Sequence, residues 1–193
     1  GGGAYTLISK TVVSGTSTDS VQLTGFSTDF DVFFIDATWF FISSSGQIYI
    51  RLMTDSTTIT TSTYESQTRK NGGTSSIKNN VSSWFEHPAN LLTGYDPRNS
   101  NDHAENNGSQ LYIRLDHMKS TFFPSTISGR MLGGNSVQDL MLHGHFQNTG
   151  FTSGTSDSAY TPVHQAHNGI NFFVSNTNFL AGSQFALYGL KYS

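Results

Sequence analysis

The sequence predicts an all-β domain: an antiparallel two-sheet jelly-roll sandwich with a long insertion near 83–108. Helix formers are scarce, with eight Ala and three Glu among 193 residues, and β-branched and aromatic residues take their place. Where apolar residues recur, they do so at every second position. Clusters of Ser, Thr, Gly and Asn separate these stretches, including the turn-prone pairs Asn71-Gly72, Asn107-Gly108 and Asn168-Gly169.

Ten strand segments follow in order: 4–13, 20–25, 30–42, 47–54, 61–68, 110–118, 126–132, 138–147, 168–175 and 183–191. The run from Asp31 to Ile42 is nearly all apolar and reads as a strand buried on both faces. In 47–54, Ile48, Ile50 and Leu52 alternate with Gln47, Tyr49 and Arg51. In 110–118, Leu111, Ile113 and Leu115 alternate with Tyr112 and Arg114. Successive side chains of a strand point to opposite faces, so each of these segments turns one face to a core and the other to solvent or a partner. The shared Gln-[Ile/Leu]-Tyr-Ile-Arg-Leu stretch reflects strand chemistry rather than a repeat, because the match does not extend beyond it. In 138–147, Leu140 and Leu142 fall on one face while Met141, His143 and His145 fall on the other. Two packed antiparallel sheets are the natural way to bury so many half-apolar strands, and a jelly roll of about eight core strands with additions fits the count.

Composition removes several classes of function. Charged residues make up 12% of the chain, about half the usual share, and the formal net charge is −3. Ten Lys and Arg are scattered among thirteen Asp and Glu, so there is no basic stripe for nucleic acid. There is no cysteine, hence no disulfide framework and no thiolate metal site. Apolar runs such as Trp39-Phe40-Phe41-Ile42 fall far short of the ~20 residues of a membrane-spanning helix, so no membrane insertion is expected. The opening Gly1-Gly2-Gly3 reads as the end of a flexible linker, with residues 4–193 as one domain excised from something longer.

The stretch from Ser83 to Gly108 interrupts the period-two rhythm and holds two of the four prolines, Pro88 and Pro97. It supplies Trp84, Tyr95, Asp96, Arg98 and His103, a set suited to a sugar. An aromatic face stacks on the apolar side of a pyranose, and carboxylate, guanidinium and imidazole groups bond its hydroxyls. On the sheet faces, Tyr49 with Arg51 and Tyr112 with Arg114 offer the same chemistry, or serve as subunit contacts, where Tyr and Arg are enriched. No catalytic residue is assigned. The chain lacks a Gly-x-Ser-x-Gly elbow and a His-Glu-x-x-His pair, and the neighbouring Asp29 and Asp31 read as the border of a strand.

Several segments, in order, carry a resemblance: Gly1 to Ser9, Ser20-Val21-Gln22-Leu23-Thr24-Gly25-Phe26, Phe30-Asp31-Val32-Phe33, Gln47 to Leu52 and Thr63-Tyr64-Glu65-Ser66. Ile170-Asn171-Phe172-Phe173 and the closing Gln184-Phe185-Ala186-Leu187-Tyr188-Gly189-Leu190-Lys191 complete the series. Together they resemble the jelly-roll virion structural proteins of tailed bacteriophages, which form capsid decorations, head fibres and tail-fibre tips. Ser83 to Gly108 has no counterpart in that pattern.

The resemblance implies a virion structural protein on the exterior of the phage particle. It would be a homotrimer attached to other capsid or tail proteins and working by self-association and display. It brings no catalytic residues and no cofactor. The alternative within the same family is a tail-fibre receptor-binding module that recognises host-surface glycans. His143 and His145, two apart on a strand, are weak metal candidates that a threefold axis would gather into six nitrogens. His164 and His167 form a second pair, read as a turn with exposed histidines, and no metal site is assigned to either pair.

Overall fold

A computed structural model describes residues 4–15, 18–40, 48–60, 64–71, 77–82, 85–86, 109–121, 123–132, 139–146, 165–174 and 178–192. Among these residues every regular element is a strand, and no helix is long and apolar enough to cross a membrane. The strands are β1 (Thr6–Val12), β2 (Ser20–Thr24), β3 (Val32–Phe40), β4 (Ile48–Thr54), β5 (Thr57–Thr58), β6 (Tyr64–Asn71) and β7 (Ile77–Ser82). They continue with β8 (Phe85–Glu86), β9 (Ser109–Asp116), β10 (Ser125–Leu132), β11 (Asp139–Phe146), β12 (Gly169–Val174) and β13 (Gln184–Leu190). All pairings are antiparallel. One sheet has eight strands in the order β1-β13-β3-β9-β10-β11-β6-β7; the other is β2-β12-β4-β5, with β8 also paired to β4.

The two sheets face each other across one apolar layer, forming an antiparallel β-sandwich. Its eight-stranded side contributes Phe33, Ile35, Leu111, Ile113, Leu115, Ile127, Phe185 and Leu187, and the other side contributes Val21, Leu23, Ile48, Ile50, Leu52, Ile170 and Phe172. Every one of these is at most 3% exposed, so the alternation seen in the sequence is realised on β9 and over Ile48 to Leu52 of β4. Phe172 of β12 meets Phe185 of β13 at 5.3 Å between ring centroids, and Phe179 closes on Phe185 edge-on at 5.1 Å. Offset and edge-to-face geometries are the favourable ones for aromatic pairs, so the layer is joined by ring contacts as well as by burial.

The expectation that the strand after Asp31 is buried on both faces holds at Val32 and is corrected over Phe33 to Ala37. Phe33, Ile35 and Ala37 point into the core, whereas Phe34 and Asp36 lie half-exposed on the outer face. Being central in a sheet protects a strand's backbone, but only a second layer buries its other face.

Three strands come in addition to the expected ten. Strand β7 has few apolar residues (Ile-Lys-Asn-Asn-Val-Ser) and is held by backbone pairing to β6, from Tyr64↔Ser82 to Arg69↔Ile77. Strand β8 falls inside the stretch expected to lack strands, where Phe85 and Glu86 pair with Ile50 and Tyr49. The rest of that insertion, 83–84 and 87–108, lies outside the described residues. Strand β5 exists because Asp55 and Ser56 both take positive φ, 49° and 67°, and so form a two-residue hairpin loop between Thr54 and Thr57. That is the type I′ geometry that matches strand twist, usually made by Asn-Gly; Asp and Ser are uncommon there, which conceals it in the sequence.

Tyr64 ties the sheets together. It belongs to β6, yet its fully buried hydroxyl reaches the hairpin of the opposite sheet. The Leu52 N–H donates to this hydroxyl at 2.9 Å, and the hydroxyl donates to the Ile59 carbonyl at 3.0 Å. Beside it the Ile59 N–H donates directly to the Leu52 carbonyl, so the phenol is inserted where the second bond of a normal antiparallel pair would be. Burial pushes its ionisation far above the ordinary tyrosine range. Tyr64→Phe leaves a buried N–H and a buried carbonyl without that partner, at about 1–3 kcal/mol. Urea denaturation should show a loss of that size with an unchanged m-value, whereas a neutral result would mean that the ladder closes directly without the hydroxyl.

Candidate functional site

The two Tyr-x-Arg segments end up on opposite outer faces of the sandwich. On β4, Ile48, Ile50 and Leu52 take the core positions, which turns Tyr49 and Arg51 outwards. Phe173, the register partner of Tyr49 on β12, stacks against it at 5.1 Å with 30° between planes. The Arg51 guanidinium carbon sits 4.5 Å from the centroid of the same ring. Tyr49, Phe173 and Arg51 thus pack on one another in a half-buried cluster, with a cation–π contact of about 0.5–1 kcal/mol.

On β9 the same residue types meet different neighbours. Tyr112 is 45% exposed. Arg114 forks onto Asp116, two residues along the same face, with Nε at 2.9 and 3.0 Å and Nη2 at 2.8 Å from the carboxylate oxygens. The arginine side chain is 48% exposed, so solvent screens the pair and its contribution to stability is small. The pairing holds the guanidinium in one place at the rim of a groove.

That groove, of about 720 Å³, lies on the outer face of the eight-stranded sheet over β13, β3, β9 and β10. Register explains its composition. Phe34 lies between Tyr188 and Arg114, and Arg114 in turn faces Ser128; one step along, Asp36 lies between Ala186 and Tyr112, and Tyr112 faces Arg130. These outward positions form the groove, and Tyr5, just before β1, closes one end by packing edge-on to Phe34 at 5.0 Å. The Asp36 carboxylate lines it, and its Oδ1 is out of water with no hydrogen-bond partner. A buried carboxylate oxygen without a donor is short of the interactions it would have in water.

Of the residues singled out in the sequence, Tyr112 and Arg114 line this groove and Tyr49 and Arg51 lie on the opposite face. Trp84, Tyr95, Asp96, Arg98 and His103 lie outside the described residues. His143 and His145 are on β11, in register with Ser128 and Thr126 of β10. Phe34, Asp36, Ser128, Arg130, Tyr5 and Tyr188 were not singled out. The clue in the sequence was Asp36, a lone carboxylate inside an apolar run, which marks an outward position once the run is read as alternating. Asp29 and Asp31 do border a strand. Asp29 accepts a hydrogen bond from the Ser27 hydroxyl at 3.1 Å, and Asp31 accepts one from the Tyr192 backbone N–H at 2.6 Å.

The expectation of exposed histidines at 164–167 is corrected for His167, which is fully buried; His164 lies outside the described residues. The His167 N–H donates to the Met118 carbonyl at 2.7 Å, docking the entry to β12 on the turn after β9. Among the described residues, no three His, Asp or Glu side chains gather as a metal site would need.

Fold and groove together define the class: an antiparallel β-sandwich with an aromatic, mixed-charge groove on one outer face. No protein-family model, curated protein or solved structure matches the chain.

The environment of His167 has a consequence for stability. Burial, with Lys119 nearby, lowers its pKa from 6.5 to about 4. The unfolded chain therefore takes up a proton that the folded chain refuses, and stability present above pH 6.5 is lost as pH falls towards about 4. The slope is ~1.4 kcal/mol per pH unit and the total roughly 3 kcal/mol. Denaturation midpoints measured across this window should fall with acidity in the wild type and vary much less in His167→Gln.

Proposed function

We propose that this chain is a structural display module of a tailed-phage particle, a capsid decoration or fibre domain, working as a homotrimer by association rather than turnover. Two features support the reading. One is the ordered series of sequence segments that resemble such proteins. The other is connectivity: without β5 and the additions β10, β11, β6 and β7, the facing sheets read β1-β13-β3-β9 and β2-β12-β4-β8. Strands distant in sequence lie side by side, as β1 with β13 and β3 with β9, an interleaving that supports the jelly-roll reading. In this reading the closing strand motif has a packing role, since Gly189 seats the Phe30 ring where any Cβ would collide with it.

The observation that carries self-association is the edge strand. Three of the six large apolar side chains exposed among the described residues, Tyr5 at 60%, Leu7 at 53% and Val12 at 46%, belong to β1 or its approach. Strand β1 pairs with β13 on one side and ends the sheet on the other. An apolar edge of this kind invites association, and a closed oligomer is the controlled way to cover it. A bulge at Ile8, between the pairs Leu7↔Tyr188 and Ser9↔Leu187, twists the edge and disfavours open-ended strand addition. Low charge leaves weak repulsion between copies, so apolar burial can decide the contact.

Light scattering on the purified protein should give a particle of three 21.1-kDa chains. The double variant Leu7→Lys, Val12→Lys should dissociate it with little change in melting temperature, because neither side chain is in the core. A wild-type protein that stays monomeric at high concentration would sink the reading.

A further inference from the structure

We infer that the groove over β13, β3, β9 and β10 is a carbohydrate site for a neutral glycan whose pyranose ring lies on Phe34 and Tyr112 and whose hydroxyls donate to Asp36. Charge selects the ligand class. Asp36 disfavours an anion and Arg130 a simple cation, while Arg114 reaches the groove already neutralised by Asp116. What suits this balance is an uncharged molecule rich in both donors and acceptors. The aromatic surfaces add that one face of this molecule is flat and apolar, and a pyranose joins these properties in one ring.

The groove's polar groups match such a ring. The Asp36 carboxylate lines the groove and accepts hydrogen bonds, for which sugar O–H groups supply the donors. Arg114 is held in place by Asp116 and still presents nearly half its side chain to solvent, so it can donate to a ring or hydroxyl oxygen without first being ordered. Ser128, opposite Arg114, offers a hydroxyl of either polarity. Ala186 beside Asp36 keeps the wall low, and Tyr5 and Tyr188 stand at the other end. A volume of about 720 Å³ lies within the usual range of ligand pockets and accommodates a short oligosaccharide. The opposite Tyr-x-Arg face lacks these properties, because Tyr49 and Arg51 are already engaged with Phe173.

The inference stands apart from the virion reading: a monomer that binds glycans would overturn the one and keep the other. The test runs wild type, Tyr112→Ala, Asp36→Asn and the control Tyr49→Ala over a printed array of neutral and acidic glycans. A parallel titration with tetramethylammonium is followed by NMR. Neutral glycans should be retained, with affinity falling about tenfold or more in Tyr112→Ala and Asp36→Asn and holding in Tyr49→Ala. Tyr112 is exposed, so its variant keeps the fold and carries the test alone if Asp36→Asn does not fold. Retention of acidic glycans only, saturation by tetramethylammonium without glycan binding, no retention at all, or equal loss in Tyr49→Ala would each overturn the assignment.

Discussion

Strand β3 lies between β13 and β9, and its side chains alternate between two environments that cannot be exchanged. Phe33, Ile35 and Ala37 fill the layer between the sheets, while Phe34 and Asp36 face outwards. A slip of one residue would drive the Asp36 carboxylate into that layer and turn Phe33 and Ile35 out to water. Burying the whole carboxylate in the apolar layer costs far more than covering one of its oxygens at the outer face, so Asp36 favours this register of the central strand. Through the ladder, β3 then sets which residues of β13 and β9 face out, and β9 does the same for β10. The core and the groove are therefore two sides of one constraint.

The two Tyr-Ile-Arg segments show how neighbours decide the fate of identical chemistry. On β4, the partner strand places Phe173 opposite Tyr49, and the aromatic pair and the arginine satisfy one another. On β9, the partners of Tyr112 are Asp36 and Arg130, which offer no ring to stack on, so Tyr112 remains exposed beside an open groove. A Tyr-x-Arg pair on a sheet face thus acts as self-contained packing or as a wall for a ligand, depending on what the adjacent strands supply.

Two polar groups in the interior are structural. The Tyr64 hydroxyl completes a ladder that would otherwise lack a bond between Leu52 and Ile59. His167 docks the entry to β12 through its backbone while its ring sits in the interior. Both positions looked like surface chemistry or strand filler in the linear pattern, because burial is a property of what folds over a residue.

Strand identity, the antiparallel sandwich and most of the core were legible from the sequence alone, because a half-buried strand writes its burial into a period of two, as in Ile48-Tyr49-Ile50-Arg51-Leu52. Strands that depend on other forces were not. Strand β7 is held by backbone pairing with few apolar residues, and β5 follows a turn made from unusual residues. For the candidate site, Tyr112 and Arg114 could be read as outward-facing, but the groove itself could not. Its members come from positions as far apart as Tyr5 and Tyr188, and only the hydrogen-bonded ladder brings them side by side. Periodicity along one strand says which way a side chain points; which strands lie beside it, and so what it meets there, is decided by the tertiary pairing that buries the largest apolar surface.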